Sequence, residues 1–121
     1  MSVDAMIEHL RERARARERA RESCRAELRA QLPALVRVLT DGHGARRVFL
    51  FGSLAWGEVD EQSDIDLAVE GLAPDRLAAA HGELMLLAVC PVDLVRIESL
   101  SEAFRRRIED EGEVLHDGTA G

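Results

Sequence analysis

Residues 48–70 read Val48-Phe49-Leu50-Phe51-Gly52-Ser53-Leu54-Ala55-Trp56-Gly57-Glu58-Val59-Asp60-Glu61-Gln62-Ser63-Asp64-Ile65-Asp66-Leu67-Ala68-Val69-Glu70. The apolar run Val48–Phe51 stops at Gly52-Ser53, and ten residues separate Ser53 from Asp64-Ile65-Asp66, which opens a second apolar run. A buried strand that stops at Gly-Ser ends in a tight turn with free backbone N–H groups and a hydroxyl, a suitable seat for a phosphate. Aspartates at i and i+2 on a strand point to the same face, because side chains alternate. Two such carboxylates repel unless a cation lies between them. A hard, oxygen-only pair beside a phosphate-binding turn suits Mg²⁺ carrying a nucleoside triphosphate. Asp60, Gln62, Asp64 and Asp66 superficially resemble a calcium loop, but the loop glycine and the terminal bidentate Glu are not at the required spacing.

The spacing Gly52-Ser53, ten residues, Asp64-Ile65-Asp66 resembles the signature of the polymerase-β-like nucleotidyltransferases, and the short chain looks most like the minimal nucleotidyltransferases of prokaryotes. That resemblance implies a third carboxylate on a later strand, and Asp93 in Pro91-Val92-Asp93-Leu94-Val95-Arg96-Ile97 stands where it is expected. It implies Asp64, Asp66 and Asp93 as catalytic and Mg²⁺-binding residues, with Gly52 and Ser53 holding the phosphates of ATP. It covers roughly residues 35–116. In one respect this sequence departs from the pattern. Many relatives read Gly-Ser-x-Ala-Arg-Gly, whereas Trp56 stands here between Ala55 and Gly57, which removes a cation from beside the triphosphate.

The chain of 121 residues is the length of one domain with a small core. All sixteen basic residues are Arg, so no Lys can act as a catalytic amine. Charge is unevenly spread. Residues 1–30 hold eight Arg against six acids, a net of +2; residues 31–121 hold eight against seventeen, a net of −9. So acidic a body argues against a polymeric nucleic-acid substrate, which requires Lys/Arg patches. Cys24 and Cys90 have no metal-ligand spacing and read as free thiols of a cytoplasmic protein. No signal peptide or membrane-spanning run is expected.

Residues 4–31 contain no Pro or Gly and predict one long helix, with Ile7, Leu10, Ala14, Cys24 and Leu28 at helical spacing. Residues 11–22 have almost nothing to bury, so this part reads equally as a docking arm for another chain or as a charged surface helix. Pro33 predicts a kink or restart, followed by a short buried helix over 34–40 and a turn at 41–44. Strands are expected at Val48–Phe51, around Leu67–Val69, and at Val92–Ile97. Pro74 can open a helix that runs to about Ala88, with Leu77, Ala80, His81, Leu84 and Leu87 or Ala88 on one face. His81 there reads as a satisfied core or edge histidine. Ser99 and Glu102 predict a capping box for a helix with Leu100, Phe104 and Ile108 on one face, ending near Gly112. Arg105-Arg106-Arg107 is expected to be mostly solvated, and Val114-Leu115 to form a short closing strand.

The expected fold is therefore α/β (α+β), a small mixed β-sheet with flanking helices, preceded by a long N-terminal helix. Its parts are an Arg/Glu-rich helix over 1–32, a minimal nucleotidyltransferase domain over 33–116 and a flexible tail over 117–121. A chain this short has no residues for an acceptor-binding domain, so the acceptor surface must come from a partner. By resemblance, many minimal nucleotidyltransferases are paired with a HEPN-domain toxin and act as its antitoxin, some by adenylylating it. Two other readings are a non-catalytic partner that neutralises HEPN by binding alone, and a small-molecule adenylyltransferase acting as a homodimer.

Overall fold

The computed structural model describes residues 2–57, 59 and 63–118. Asp60 and Gln62, weighed above for a calcium loop, and the tail residues 119–121 lie outside the described residues. The apolar runs become four strands: β1 (Arg47–Phe51), β2 (Ile65–Glu70), β3 (Val92–Arg96) and β4 (Glu113–Asp117). The helices are α1 (Val3–Arg37), the single turn α2 (Ser53–Trp56), α3 (Leu77–Leu87) and α4 (Glu102–Glu111). The sheet order is β3-β2-β1-β4. β1 is antiparallel to β2 and β4, whereas β2 and β3 are parallel.

Both faces of the sheet are covered, which is why β1 and β2 read as continuous apolar runs rather than alternating ones. Val48, Leu50, Ile65, Leu67 and Val69 face α1 and α3, where they meet Leu28, Leu32, Leu35 and Leu84. Phe49 and Ala68 face the other way, toward Ile97 and Ile108 of the α4 side. Glu70 falls on this second face at the far end of β2. It is buried, and Arg46, Arg47 and Arg105 converge on its carboxylate. The guanidinium of Arg47 is the main reason its carboxyl is held below the usual glutamate value.

Two local expectations fail. Pro33 neither kinks nor restarts the chain, because α1 runs through it from Val3 to Arg37. An internal Pro costs a helix about 3 kcal/mol, but Leu28, Leu32 and Leu35 are all buried on the same side, above and below it. Each such burial contributes about 1.5–3 kcal/mol, so the packed stripe carries the helix past the defect. Pro33 itself is exposed. The expected short helix over 34–40 is thus the end of α1 and a wider π-type turn, Val38–Gly42. The cap of α4 is Ser101 rather than Ser99: the Phe104 N–H donates to the Ser101 hydroxyl at 3.2 Å. Ser99 instead closes a 3₁₀ turn, Ile97–Ser99, by donating to the Arg96 carbonyl at 2.9 Å. Leu100 is then extended, so the helix cannot begin until Glu102.

Elsewhere the expected elements form. Pro74 opens a 3₁₀ turn leading into α3, where Ala80 and Leu84 are buried; of the two alternatives for the last position, Ala88 packs on the core and Leu87 is exposed. β4 is longer than the pair Val114-Leu115. No described helix is long and apolar enough to cross a membrane.

Candidate functional site

The C-terminal end of β1 and the N-terminal ends of β2 and β3 meet at one end of the sheet, because β1 runs opposite to the other two. Asp66 and Asp93 are direct register partners across β2 and β3. Neighbouring strands lie about 4.8 Å apart, so the two carboxyls share one small space. Asp66 is half-buried and its carboxyl is pushed up to about 6. Burial is the largest cause, followed by the charge of Asp93 and a hydrogen bond with it, then the charge of Asp64. Asp64 does not lie on the strand. It immediately precedes Ile65, the first residue of β2, and is half-buried. Its charge also acts on Cys90, whose thiol is raised chiefly by burial.

Among the described residues no group of three His, Cys, Asp or Glu side chains is gathered as a ready metal cage. The chemistry of the pair nevertheless fits a hard dication. Asp66 and Asp93 present only oxygen ligands, and the mutual repulsion that raises Asp66 is what a bound cation would relieve.

Gly52 belongs to this site by close approach. Its φ is +74°, and a Cβ built there would stand 2.9 Å from Cγ of Asp66 and closer still to Oδ2. The turn therefore has to be glycine for two reasons, backbone conformation and the carboxylate packed against it. Ser53 follows as the first residue of α2, and the backbone N–H of Trp56 donates to the Gly52 carbonyl at 2.8 Å. The Gly52-Ser53 turn and the Asp pair are thus one constellation.

Trp56 has a structural occupation. Its indole N–H donates to the Glu111 carbonyl at 2.6 Å, and its ring lies 6.1 Å from that of Phe51. The Arg107 guanidinium sits over the indole, 4.4 Å from the ring centroid. The Arg105-Arg106-Arg107 run is mostly solvated, as expected: Arg106 and Arg107 are exposed and Arg105 is half-buried. Arg105 reaches buried Glu70.

Sequence reasoning also missed Arg25. From α1 it donates to the carbonyls of Leu54 and Gly57, at 3.3 and 3.1 Å, and so holds the α2 turn from behind. Nothing in an Arg-rich helix singles out one arginine for this role. His81 fits its reading as an edge histidine: it is half-buried and hydrogen-bonds the Val92 carbonyl, next to Asp93.

A family model described as polymerase beta nucleotidyltransferase matches residues 34–119. Solved structures agree. One described as a candidate minimal nucleotidyltransferase is 35% identical, with a TM-score of 0.61, over 73% of this chain and 92% of its own. A toxin–antitoxin structure with AMP-PNP is 26% identical, with a TM-score of 0.62, over 71% of this chain and 73% of its own. The MntA–HepT toxin–antitoxin structure is 22% identical, with a TM-score of 0.58, over 74% and 72%, a likeness of fold alone. No curated protein sequence matches the chain. A glycine turn packed on an aspartate pair, on a sheet that lies wholly within the residues the family model matches, makes this chain a member of the polymerase beta nucleotidyltransferase family, of the minimal type.

Proposed function

We propose that the chain is a Mg²⁺-dependent adenylyltransferase that moves AMP from ATP to a hydroxyl of a HEPN-domain toxin, and so serves as the antitoxin of the pair. The observation that carries this reading is the contact of Gly52 with Asp66, with Asp93 as the register partner of Asp66. Asp66 and Asp93, with Asp64 beside them, would hold Mg²⁺, which supplies charge stabilisation to the phosphate oxygens when bound. The Gly52-Ser53 turn orients the outer phosphates through backbone N–H groups and the Ser53 hydroxyl. Asp93 is exposed and accepts the proton of the attacking hydroxyl. The acceptor oxygen forms its bond to the α-phosphorus, the bond to the bridging oxygen breaks, and pyrophosphate leaves with that electron pair. The toxin partner and ATP are both supported by the likeness to the toxin–antitoxin structure with AMP-PNP.

The test is incubation with ATP labelled at the α-phosphate, Mg²⁺ and a candidate HEPN-domain partner. Label should pass to the HEPN protein with the native chain and not with Asp66→Asn or Asp93→Asn. A second reading, neutralisation by binding alone, is favoured by Trp56, which is tied into the fold where many relatives carry a cation. That reading is correct if the Asp64→Asn, Asp66→Asn double variant still neutralises the toxin at native expression.

A further inference from the structure

α2 is a single turn, Ser53–Trp56, and a helix of one turn has no stability of its own. It is held from outside. The Leu54 side chain is buried in the core shared with Leu28 and Leu32 of α1. The Trp56 indole N–H donates to the Glu111 carbonyl at 2.6 Å. These two contacts act on side chains, whereas Arg25 acts on the main chain. Within the turn the N–H groups of Ala55 and Trp56 take the Gly52 carbonyl, and the Gly57 N–H takes the Ser53 carbonyl. The carbonyls of Leu54 and Gly57 are left over, as the last carbonyls of any helix are. Arg25 takes both, donating from Nη1 to Leu54 at 3.3 Å and from Nη2 to Gly57 at 3.1 Å. A planar guanidinium can meet two acceptors at once where an ammonium meets one point. Its charge also has the favourable sign for the carbonyl end of a helical turn.

The consequence falls at the other end of the turn. Gly52, with φ of +74°, is packed on the Asp66 carboxylate, and Ser53 follows it directly. In so short an element a tilt at the carbonyl end moves Ser53 relative to Asp66. Arg25 itself is well anchored, because Cys24 and Leu28 on either side of it in α1 pack on the core. It also comes from outside the family domain, since the family model begins at residue 34. A residue beyond the matched stretch therefore sets the angle at which the Gly52-Ser53 turn meets the aspartate pair.

We propose that Arg25 is a positioning residue for the triphosphate of MgATP, acting through the α2 turn rather than on the nucleotide. The proposal rests on the nucleotide-binding reading above. The test is calorimetric titration of the full chain with MgATP, together with acrylamide quenching of Trp56 emission in the absence of nucleotide. Trp56 is the sole tryptophan and lies in α2, so its emission reports the turn directly. Arg25→Ala should bind MgATP at least about tenfold more weakly and should expose Trp56 to the quencher. Arg25→Lys, which keeps the charge and loses the fork, should fall between the native chain and Arg25→Ala. Arg29→Ala, which removes a like charge one turn along α1 from its pair with Glu113, should leave both readouts as they are in the native chain. Native affinity in Arg25→Ala overturns the proposal, and so does an equal loss in Arg29→Ala, which would be an effect of charge alone. Weakened binding with unchanged quenching overturns it too, because Arg25 would then act on the nucleotide itself. If Arg25→Ala fails to fold, Arg25→Lys decides, native affinity in that variant being the overturning result. A native chain that binds no MgATP overturns the nucleotide-binding reading and this proposal together; native binding that survives the loss of Arg25 overturns this proposal alone.

Discussion

Gly52 and Asp66 are in such close approach that a Cβ on the glycine would stand 2.9 Å from Cγ of the carboxylate, on a backbone with φ of +74°. The contact joins two parts of the chain that the sequence holds apart by the ten residues 54–63. Gly44 has nearly the same φ, +72°, but nothing within 4 Å of its Cβ position. The pair separates strain from contact. Gly44→Ala should cost about 1 kcal/mol, the backbone penalty alone. Gly52→Ala should cost at least about 2 kcal/mol and also abolish MgATP binding, because Asp66 must move. Denaturant melts and calorimetry on both variants check this; equal costs would remove the role given to the contact.

Asp66→Asn should leave the chain more stable at neutral pH while ending nucleotide transfer. The carboxyl is raised from 3.8 to about 6, so the folded chain holds this proton more tightly than the unfolded chain does. Ionising it therefore costs stability as pH rises from about 4 to about 6, and the whole cost remains above that range. Asp66 is only half-buried, so after solvent screening the gain at pH 7 is on the order of 1 kcal/mol. Urea melts at pH 4 and pH 7 should show the variant's advantage only at the higher pH. An advantage of the same size at both values would assign it to some other cause.

Glu70→Gln should be destabilising by about 2 kcal/mol, since it leaves Arg47 and its neighbours facing a neutral, buried amide. The direction with pH is opposite to that of Asp66. The Glu70 carboxyl lies below its ordinary 4.5. Its contribution is therefore present above about pH 4.5 and disappears as pH falls through the lowered value. The gap between native and variant melting temperatures should be full at pH 7 and close on acidification.

Trp56 and Arg107 should be energetically coupled. Trp56→Ala removes the tilted ring contact with Phe51, the bond to Glu111 and the seat of Arg107, a loss of about 3 kcal/mol. Arg107→Ala should cost less than about 1 kcal/mol. A double-mutant cycle on melting free energies should leave a coupling of about 0.5–1 kcal/mol, the cation–π share. Additive losses would mean that the two side chains are only neighbours.

The strand–turn–strand around Gly52-Ser53 and Asp64-Ile65-Asp66, the helix opened by Pro74 and the third strand carrying Asp93 are all legible in the residues alone. These are readable because strand alternation, turn glycine and helix period are local properties, set by each residue and its near neighbours. That same locality made the long N-terminal helix legible up to Leu32 and illegible at Pro33, where the local rule demands a break. Long-range packing of Leu28, Leu32 and Leu35 on one sheet face carries the helix through. Tertiary structure also decided that Ser101 rather than Ser99 caps α4, because the 3₁₀ turn after β3 sets where the helix can start. It aligned Asp66 with Asp93 across parallel strands, seated Arg107 on Trp56, brought Arg105 to Glu70 and Arg25 to the back of the α2 turn. Each of these joins residues far apart in the chain, and such pairings depend on how strands register and helices lie on the sheet, which no single stretch of sequence specifies.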